Sequence, residues 1–556
     1  MNGYFRPPRC MAIIALAFCL LTIQSVAQAA YPGALDPTFG NGGYVTTTFG
    51  STTVAGYAMA IQQDGMMIVA GNAGDEIVLV RYRIDGTIDS SFGSQGRVIG
   101  RYGAEGASSV RGVAVQPDGK LVVAGYTSVE DKYTFALARY NRDGSGDPTF
   151  GSAGTVTTSF GNEGDQAFGV AIDADGKIVV VGFTTIGGVR HFALARYWGN
   201  GRLDKTFGNN GTVVTVASPL RSGELHGVVI QRTDGKIAVA GAGDNDWYRY
   251  SGVVARYLPD GSLDAGFGTD GHVFSGEGEY DTLFLQSDGK LVAAGMTAFL
   301  GGASGFYAMM TRVGTDGAVD ASFGYNGILQ LNFSNSPSLN CFYDADEGAG
   351  ETIMGAGMNE GKWSSTHDFA LARFDRDGQR DVTFGEAGVV LTDFPIEGDD
   401  VAYALVTQAD GRVVLAGYSN GSIALARYLV DTATPVVIEV KPSADGEPQS
   451  LLPGKNVQVA ILSRPVGTED AGFDATIIDP ATVTLTNRGV TFGTGNVRSS
   501  LTDVNADGLP DLVLDFEVKV NALRPGKLGT VVVLEGKTSD GASIKGSASI
   551  DLSRRP

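Results

Sequence analysis

Asp503-Val504-Asn505-Ala506-Asp507-Gly508-Leu509-Pro510-Asp511 places oxygen-bearing side chains at its first, third, fifth and ninth positions and a glycine at its sixth. Hard cations such as Ca²⁺ are held this way: side-chain oxygens at alternating positions, a glycine for the sharp turn, and a main-chain carbonyl at the seventh position. The expected ligands are Asp503, Asn505, Asp507, Leu509 (through its carbonyl) and Asp511. Leu514 occupies the twelfth position, where an EF-hand requires glutamate, and an alternating apolar strand follows instead of a helix. A calcium ion here would therefore rigidify a loop rather than perform chemistry. A second group lies in Ala242–Tyr250, where Asp244 and Asp246 precede Trp247 and Tyr248, and a third pairs Trp363 with His367. Aromatic rings beside carboxylates can stack on a sugar, grip a peptide, or simply pack a rim. Asp244 or Asp246 could also supply the acid and base of a hydrolase or lyase. Gly417-Tyr418-Ser419-Asn420-Gly421 has the spacing of a nucleophile elbow, but it falls at a hairpin with no helix to follow. His191, His226, His272 and His367 show no metal-ligand spacing.

What positions these groups is a repeat. The skeleton Asp-x-x-Phe-Gly-x-x-Gly begins at Asp36, Asp89, Asp147, Asp204, Asp264, Asp320 and Asp381, in steps of 53, 58, 57, 60, 56 and 61 residues. Self-similar units of this length stack on one another and dictate the architecture. Arg81, Arg139, Arg196, Arg256, Arg312 and Arg373 each lie eight residues before one of these Asp positions, as Arg139 does before Asp147. Arg427 has no such partner ahead of it and Asp36 none behind, so Asp36 and Arg427 pair only if the chain closes into a ring. Catalytic residues are seldom duplicated in every repeat, so the recurring Arg and Asp are expected to be scaffold.

Each unit contains four short apolar runs. Asp-Gly turns such as Asp118-Gly119 and Asp143-Gly144 separate them, as tight hairpins require. Runs such as Leu121–Ala124 and Phe135–Ala138 have no polar face, so both sides of the sheet must be covered. Small sheets arranged radially around an axis satisfy this. The expected fold is all-β: a seven-bladed β-propeller of four-stranded blades at residues 33–430. Tyr44–Phe49 should complete the blade that holds Ile423–Tyr428. The sixth unit should depart from the others at Asp344–Gly348, where the usual turn is replaced. A β-solenoid is the alternative, and would leave Asp36 and Arg427 far apart.

Gln116–Lys120, Ala138-Arg139-Tyr140 and Leu203–Gly211 resemble the delta-60 repeat family, over about residues 33–430. The resemblance implies a secreted bacterial propeller without an assigned reaction. Beyond a linker at 431–435, residues 436–556 carry six or seven strand-like runs at the spacing of an immunoglobulin-like β-sandwich. Leu512, Leu514 and Phe516 should face its core. The Asp503–Asp511 loop resembles the calcium loops of secreted adhesive and dockerin-associated modules.

Residues 1–29 read as a signal peptide, with Arg6 and Arg9 before the apolar run Met11–Ile23 and a cleavage site after Ala29. Phe18 before Cys19 fits a lipid-attachment site poorly. The mature chain would keep Cys341 alone and so has no intrachain disulfide. Lys+Arg 41 against Asp+Glu 61 gives a net charge of −20, which argues against nucleic acid as a partner. The expected protein is exported, to the periplasm or beyond the cell. It should have no membrane span, act as a monomer, and bind an extracellular glycan or protein without catalysis. An extracellular hydrolase or lyase acting on polysaccharide or protein is the alternative.

Overall fold

The computed structural model describes residues 31–550 except 104–105, 130–131, 162, 217–219, 246–248, 299–305, 334–338, 361–365, 396–397, 432–433, 442–455, 464–472, 488–489, 495–497, 506, 518–529 and 540–541. The expected signal peptide lies outside these residues. Strands dominate, and the helical turns among the described residues are two 3-10 segments, Ala349–Glu351 and Ala475–Ile477. No helix among them is long and apolar enough to cross a membrane.

From Tyr44 to Tyr428 the chain forms repeated four-stranded antiparallel sheets. In each, an innermost strand pairs with a second and the second with a third. The short run after the next Asp-x-x-Phe-Gly phrase adds a fourth: Asp165–Ile172, Ile178–Ile186, Val189–Tyr197 and Thr212–Thr215 are one example. Tyr44–Thr47 instead joins the sheet of Asp400–Thr407, Val413–Ser419 and Ser422–Tyr428, pairing Tyr44 with Ala426 and Thr47 with Ile423. Chain start and repeat end are thus hydrogen-bonded to each other. The inner strands are, in chain order, Val54–Ile61, Ser108–Val115, Asp165–Ile172, Ser222–Ile230, Glu279–Leu285, Asn340–Glu347 and Asp400–Thr407. Each packs against the next, and the last against the first. Both faces of the middle strands are buried, as the absence of a polar face demanded.

The repeated residues occupy the junctions between sheets. Asp147 lies 2.8 Å from Arg139 and Asp36 lies 2.9 Å from Arg427. Each Arg also donates to a main-chain carbonyl of the following unit: Arg81 to Arg142, Arg139 to Gly199, Arg196 to Pro259, Arg427 to Ile84. Each Arg thus ties its own unit to the next. The guanidinium stacks on the Phe of its own phrase, Arg139 on Phe150 at 4.8 Å and Arg427 on Phe39 at 4.7 Å. A second cation, from the Gln-x-Asp-Gly-Lys turn, reaches the same carboxylate: Lys120 is 2.8 Å from Asp147, and Arg412 takes this place 2.9 Å from Asp36.

Two expectations need correction. Asp344–Glu347 does not form a turn; it belongs to the sixth inner strand, and Gly348–Thr352 turns instead, with Gly348 N–H donating to the Thr352 carbonyl. The stretch 431–435 is not a free linker where it is described. Thr434–Pro435 pairs in parallel with Ile544–Lys545, and Asp431 lies 3.3 Å from Lys545.

Past residue 435, two antiparallel sheets share one core. Val437–Lys441, Asn456–Leu462, Asp511–Glu517 and Arg498–Thr502 form one; Ser543–Ile550, Thr530–Thr538, Ile478–Asn487 and Val490–Thr494 lie in the other. Leu512, Leu514 and Phe516 are buried against Val483, Leu485, Val532 and Leu534. Val490–Thr494 and Arg498–Thr502 escaped the sequence reading because they are short and mostly polar.

Candidate functional site

A β-bulge interrupts every inner strand at one equivalent position. The extra residue has no partner in the sheet, so its side chain is re-aimed away from the ladder. A glycine in the neighbouring strand makes the bulge possible. A Cβ on Gly71, Gly182, Gly241 or Gly417 would lie 1.8, 1.9, 2.0 or 1.9 Å from the carbonyl oxygen of the residue preceding the bulge pair.

The bulged residues are Tyr57, Arg111, Phe168 and His226 on the first four inner strands and Asp281, Tyr343 and Tyr403 on the last three. Together they line one central cavity of about 480 Å³. The scaffold residues are the same in every unit; these are not. Tyr57 and Tyr403 have ring centroids 5.2 Å apart, and Tyr343 and Tyr403 are 5.0 Å apart, forming a continuous tyrosine wall. Arg111 lies over Tyr57 at 4.7 Å and over Tyr126 at 5.8 Å.

On the fourth to sixth strands a second polar group accompanies the bulged residue, because residues two apart share a strand face. Glu224 pairs with His226, Glu279 with Asp281, and Cys341 with Tyr343. His226 Nε2 is 3.7 Å from Glu224 Oε1, and its Nδ1 is 3.6 Å from Asp281 Oδ1 and 3.2 Å from the Tyr280 carbonyl. Burial alone would lower the imidazole pKa, but the carboxylates of Asp281 and Glu224 beside the ring raise it to about 10. His226 is therefore an imidazolium at neutral pH. Arg190 also reaches Glu224, at 2.6 Å, and Cys341 Sγ donates to Asp281 Oδ2 at 3.4 Å. Burial and then the charges of Asp281 and Glu279 push the Cys341 thiol up, so it stays protonated. Burial also lifts Glu279 to about 7, with Asp281 and Glu224 adding to the rise and His226 opposing it. Burial lifts Asp344 to about 7 as well; it accepts from Leu405 N–H at 2.8 Å and from Thr282 Oγ at 3.1 Å.

Glu279 gives a test of this arrangement. Its folded pKa lies above its unfolded value near 4.5, so the folded state binds the extra proton. Stability should then fall as pH rises from about 4.5 through 7 and level off above. Glu279→Gln should flatten that slope, gaining on the order of 2 kcal/mol relative to the parent at pH 8 and little at pH 4. Urea unfolding at the two pH values measures it; equal gains at both would show that Glu279 does not ionise out of its range.

The residues singled out from sequence fall elsewhere. Asp244 sits on the strand Ile237–Asn245, opposite Ser222 and Tyr250, and does not line the cavity. The cavity carboxylates are Asp281 and Asp344, not Asp244. Asp246, Trp247, Tyr248 and Trp363 lie outside the described residues. His367 Nδ1 is 2.9 Å from Asp399 Oδ1 and does not line the cavity. In the Asp503–Asp511 loop, Asp503 accepts from Asp507 and Gly508 N–H, and Asp507 accepts from Leu509 N–H and the Asn505 amide. Asp511 is fully buried and accepts from Ser463 and Val504 N–H at 2.7 and 2.8 Å. The loop's oxygens are thus turned onto its own main chain, and among the described residues no cluster of three metal-ligating side chains forms. Spacing could not reveal the cavity residues. The available clue was a variable position inside an otherwise apolar inner run, facing a repeated glycine: Tyr57, Arg111 and His226 all stand just before a small residue.

Residues 62–92, 116–150, 174–207, 232–267 and 286–323 match a family described as "Domain of unknown function (DUF5122) beta-propeller". No curated protein matches the chain. Among solved structures, it is similar to a catalytically inactive virginiamycin B lyase from Staphylococcus aureus with quinupristin, at 10% identity and TM-score 0.38, covering 70% of this chain and 99% of that one. A protein of unknown function from Dyadobacter fermentans shows 12% identity and TM-score 0.36 over 71% and 100% of the two chains. The polysaccharide lyase Uly1 shows 11% identity and TM-score 0.38 over 74% and 94%.

Proposed function

We propose that the chain is an exported binding protein, a seven-bladed β-propeller followed by an immunoglobulin-like sandwich at 436–556, and that its ligand sits in the central cavity. The reading rests on one observation: one repeated scaffold presents five different side-chain types, Tyr, Arg, Phe, His and Asp, at one equivalent bulge. A position held by packing alone would repeat like Arg139 and Phe150; a recognition surface has no reason to. Aromatic walls with a few placed polar groups are what small-ligand pockets are made of. Export rests on the leader at residues 1–29, and the delta-60 likeness of the repeats agrees with it. Glycan and peptide arrays probed with the mature chain test the proposal. Binding should be lost in Tyr403→Ala and kept in Asp244→Ala; the reverse pattern would move the site to the outer loops.

A second reading, a hydrolase or lyase, draws on the same cavity. His226 as an imidazolium beside Glu279, with a pKa of about 7, is a donor and acceptor pair of opposite readiness. Turnover of an array hit that stops in Glu279→Gln while binding persists would select it.

We also propose that Ca²⁺ binds the Asp503–Asp511 loop by drawing the Asp503, Asn505 and Asp507 oxygens away from their main-chain donors. Calcium should then raise the melting temperature of the tail domain, and Asp503→Ala should abolish the rise. An identical melting curve with calcium and with chelator removes the idea.

A further inference from the structure

The cavity is electrically two-sided. Consecutive inner strands are neighbours, so Tyr343, Tyr403 and Tyr57 adjoin, and Arg111 stands next to Tyr57. His226 and Asp281 come from the fourth and fifth strands, across the ring from Tyr57. Arg111 donates to the Tyr126 hydroxyl at 3.4 Å and stacks on two tyrosine rings, but among the described residues no carboxylate pairs with it. Arg111 lines the cavity, and its charge there is not met by a carboxylate. Its fork of donors suits a carboxylate.

The far side has the opposite excess. His226 is already shared between Glu224 and Asp281, and Arg190 is spent on Glu224. Asp281 and Glu279 therefore have less than one cation between them. Burial first, and then the charges of Asp281 and Glu224, lift Glu279 to about 7. A ligand ammonium placed there would supply the missing charge. A simple anion would satisfy Arg111 but face Asp281 and Glu279, and a simple amine would satisfy those but leave Arg111 unmatched. Between the poles, tyrosine faces offer apolar contact to a carbon skeleton and favourable contact to a cation. A cavity of about 480 Å³ admits a molecule the size of an amino acid or dipeptide.

From this we infer that the cavity takes a zwitterion of amino-acid or dipeptide size, its carboxylate on Arg111 and its ammonium at Asp281. The inference rests on the cavity being the binding site. The test is calorimetry on the mature chain with the free L-amino acids and a dipeptide set; each binder is repeated as its C-terminal amide and as its N-acetyl derivative. Both derivatives should bind at least tenfold more weakly than the parent zwitterion. Arg111→Gln should abolish the preference over the amide, and Asp281→Asn the preference over the acetylated form. Unchanged melting curves for Arg111→Gln establish that this variant, at least, is folded. Derivatives that bind as well as the zwitterion overturn the inference, as does a set with no binder. Tyr403-dependent binding of a neutral sugar alone would overturn it and leave the cavity site standing; binding indifferent to Tyr403 would overturn both.

Discussion

Asp36→Ala should destabilise the chain by about 3 to 5 kcal/mol, and Asp381→Ala, the same change in another repeat, by much less. The Asp36 side chain is fully buried, 2.9 Å from both Arg427 and Arg412 through the same oxygen, while Thr38 donates to its other oxygen from N–H at 2.9 Å and from Oγ at 2.7 Å. Burial opposes its charge, but the two guanidinium groups and Thr38 hold its pKa below the ordinary value. Removing it leaves Arg427 and Arg412 buried, with Asp410, 2.8 Å from Arg412, as the remaining carboxylate beside them. At Asp381 one cation, Arg373, is engaged, and the carboxylate is 24% exposed, so water can replace it. Because the folded pKa of Asp36 is depressed, its contribution is present above the unfolded value near 3.9 and lost as pH falls through the folded one. Urea unfolding at pH 7 measures the difference, and a cycle with Arg427→Ala should be non-additive by more than about 1 kcal/mol. Additive losses, or equal losses at Asp36 and Asp381, would mean that closure of the ring does not depend on this pair. Arg412 also donates to the Lys545 carbonyl at 2.8 Å, so damage at Asp36 should loosen the tail domain too.

The repeat made much of the architecture readable. Asp36 and Arg427 stood unpaired at opposite ends of a periodic pattern, and strand pairing of Tyr44–Thr47 with Ser422–Tyr428 is how the chain resolves that. Such information is local and redundant: each Asp-Gly turn and each Phe-Gly phrase is written many times over, so one irregular copy does not spoil the reading. The cavity was illegible for the same reason. Its residues change type around the ring, lie more than fifty positions apart, and are aimed inward by a bulge that shifts register by one residue within an apolar run. His226 looked like an isolated histidine because its partners Glu224 and Asp281 come from the same strand and from the next blade, not from any ligand spacing. Asp244, Trp247 and Trp363 stand out because loop variability is visible in sequence, whereas variability at a bulge looks like an ordinary substitution within a strand.

Gly241→Ala should therefore damage both the fold and the cavity, and comparing it with Gly71→Ala should separate the two. A Cβ on Gly241 would lie 2.0 Å from the Glu224 carbonyl oxygen, and one on Gly71 would lie 1.8 Å from that of Ala55. Neither contact can be relieved by a rotamer change, since both atoms are fixed by the main chain. The inner strand must move outward by an ångström or more, at a cost of about 3 kcal/mol at either position. Gly146, which has nothing within 4 Å of its ideal Cβ, is the control and should tolerate alanine. The two clashing variants differ in what rides on the displaced strand. Gly241 faces the bulge that carries His226 and the carbonyl of Glu224, so moving it breaks the contacts that hold the imidazole pKa near 10. Gly71 faces Tyr57, three strands away. The His226 pKa, followed by NMR of the ring protons, should fall toward the ordinary value near 6.5 in Gly241→Ala and stay near 10 in Gly71→Ala, although both lose similar stability. A His226 pKa near 10 in both would show that the imidazolium is held by the protein's overall negative field rather than by the position of this bulge.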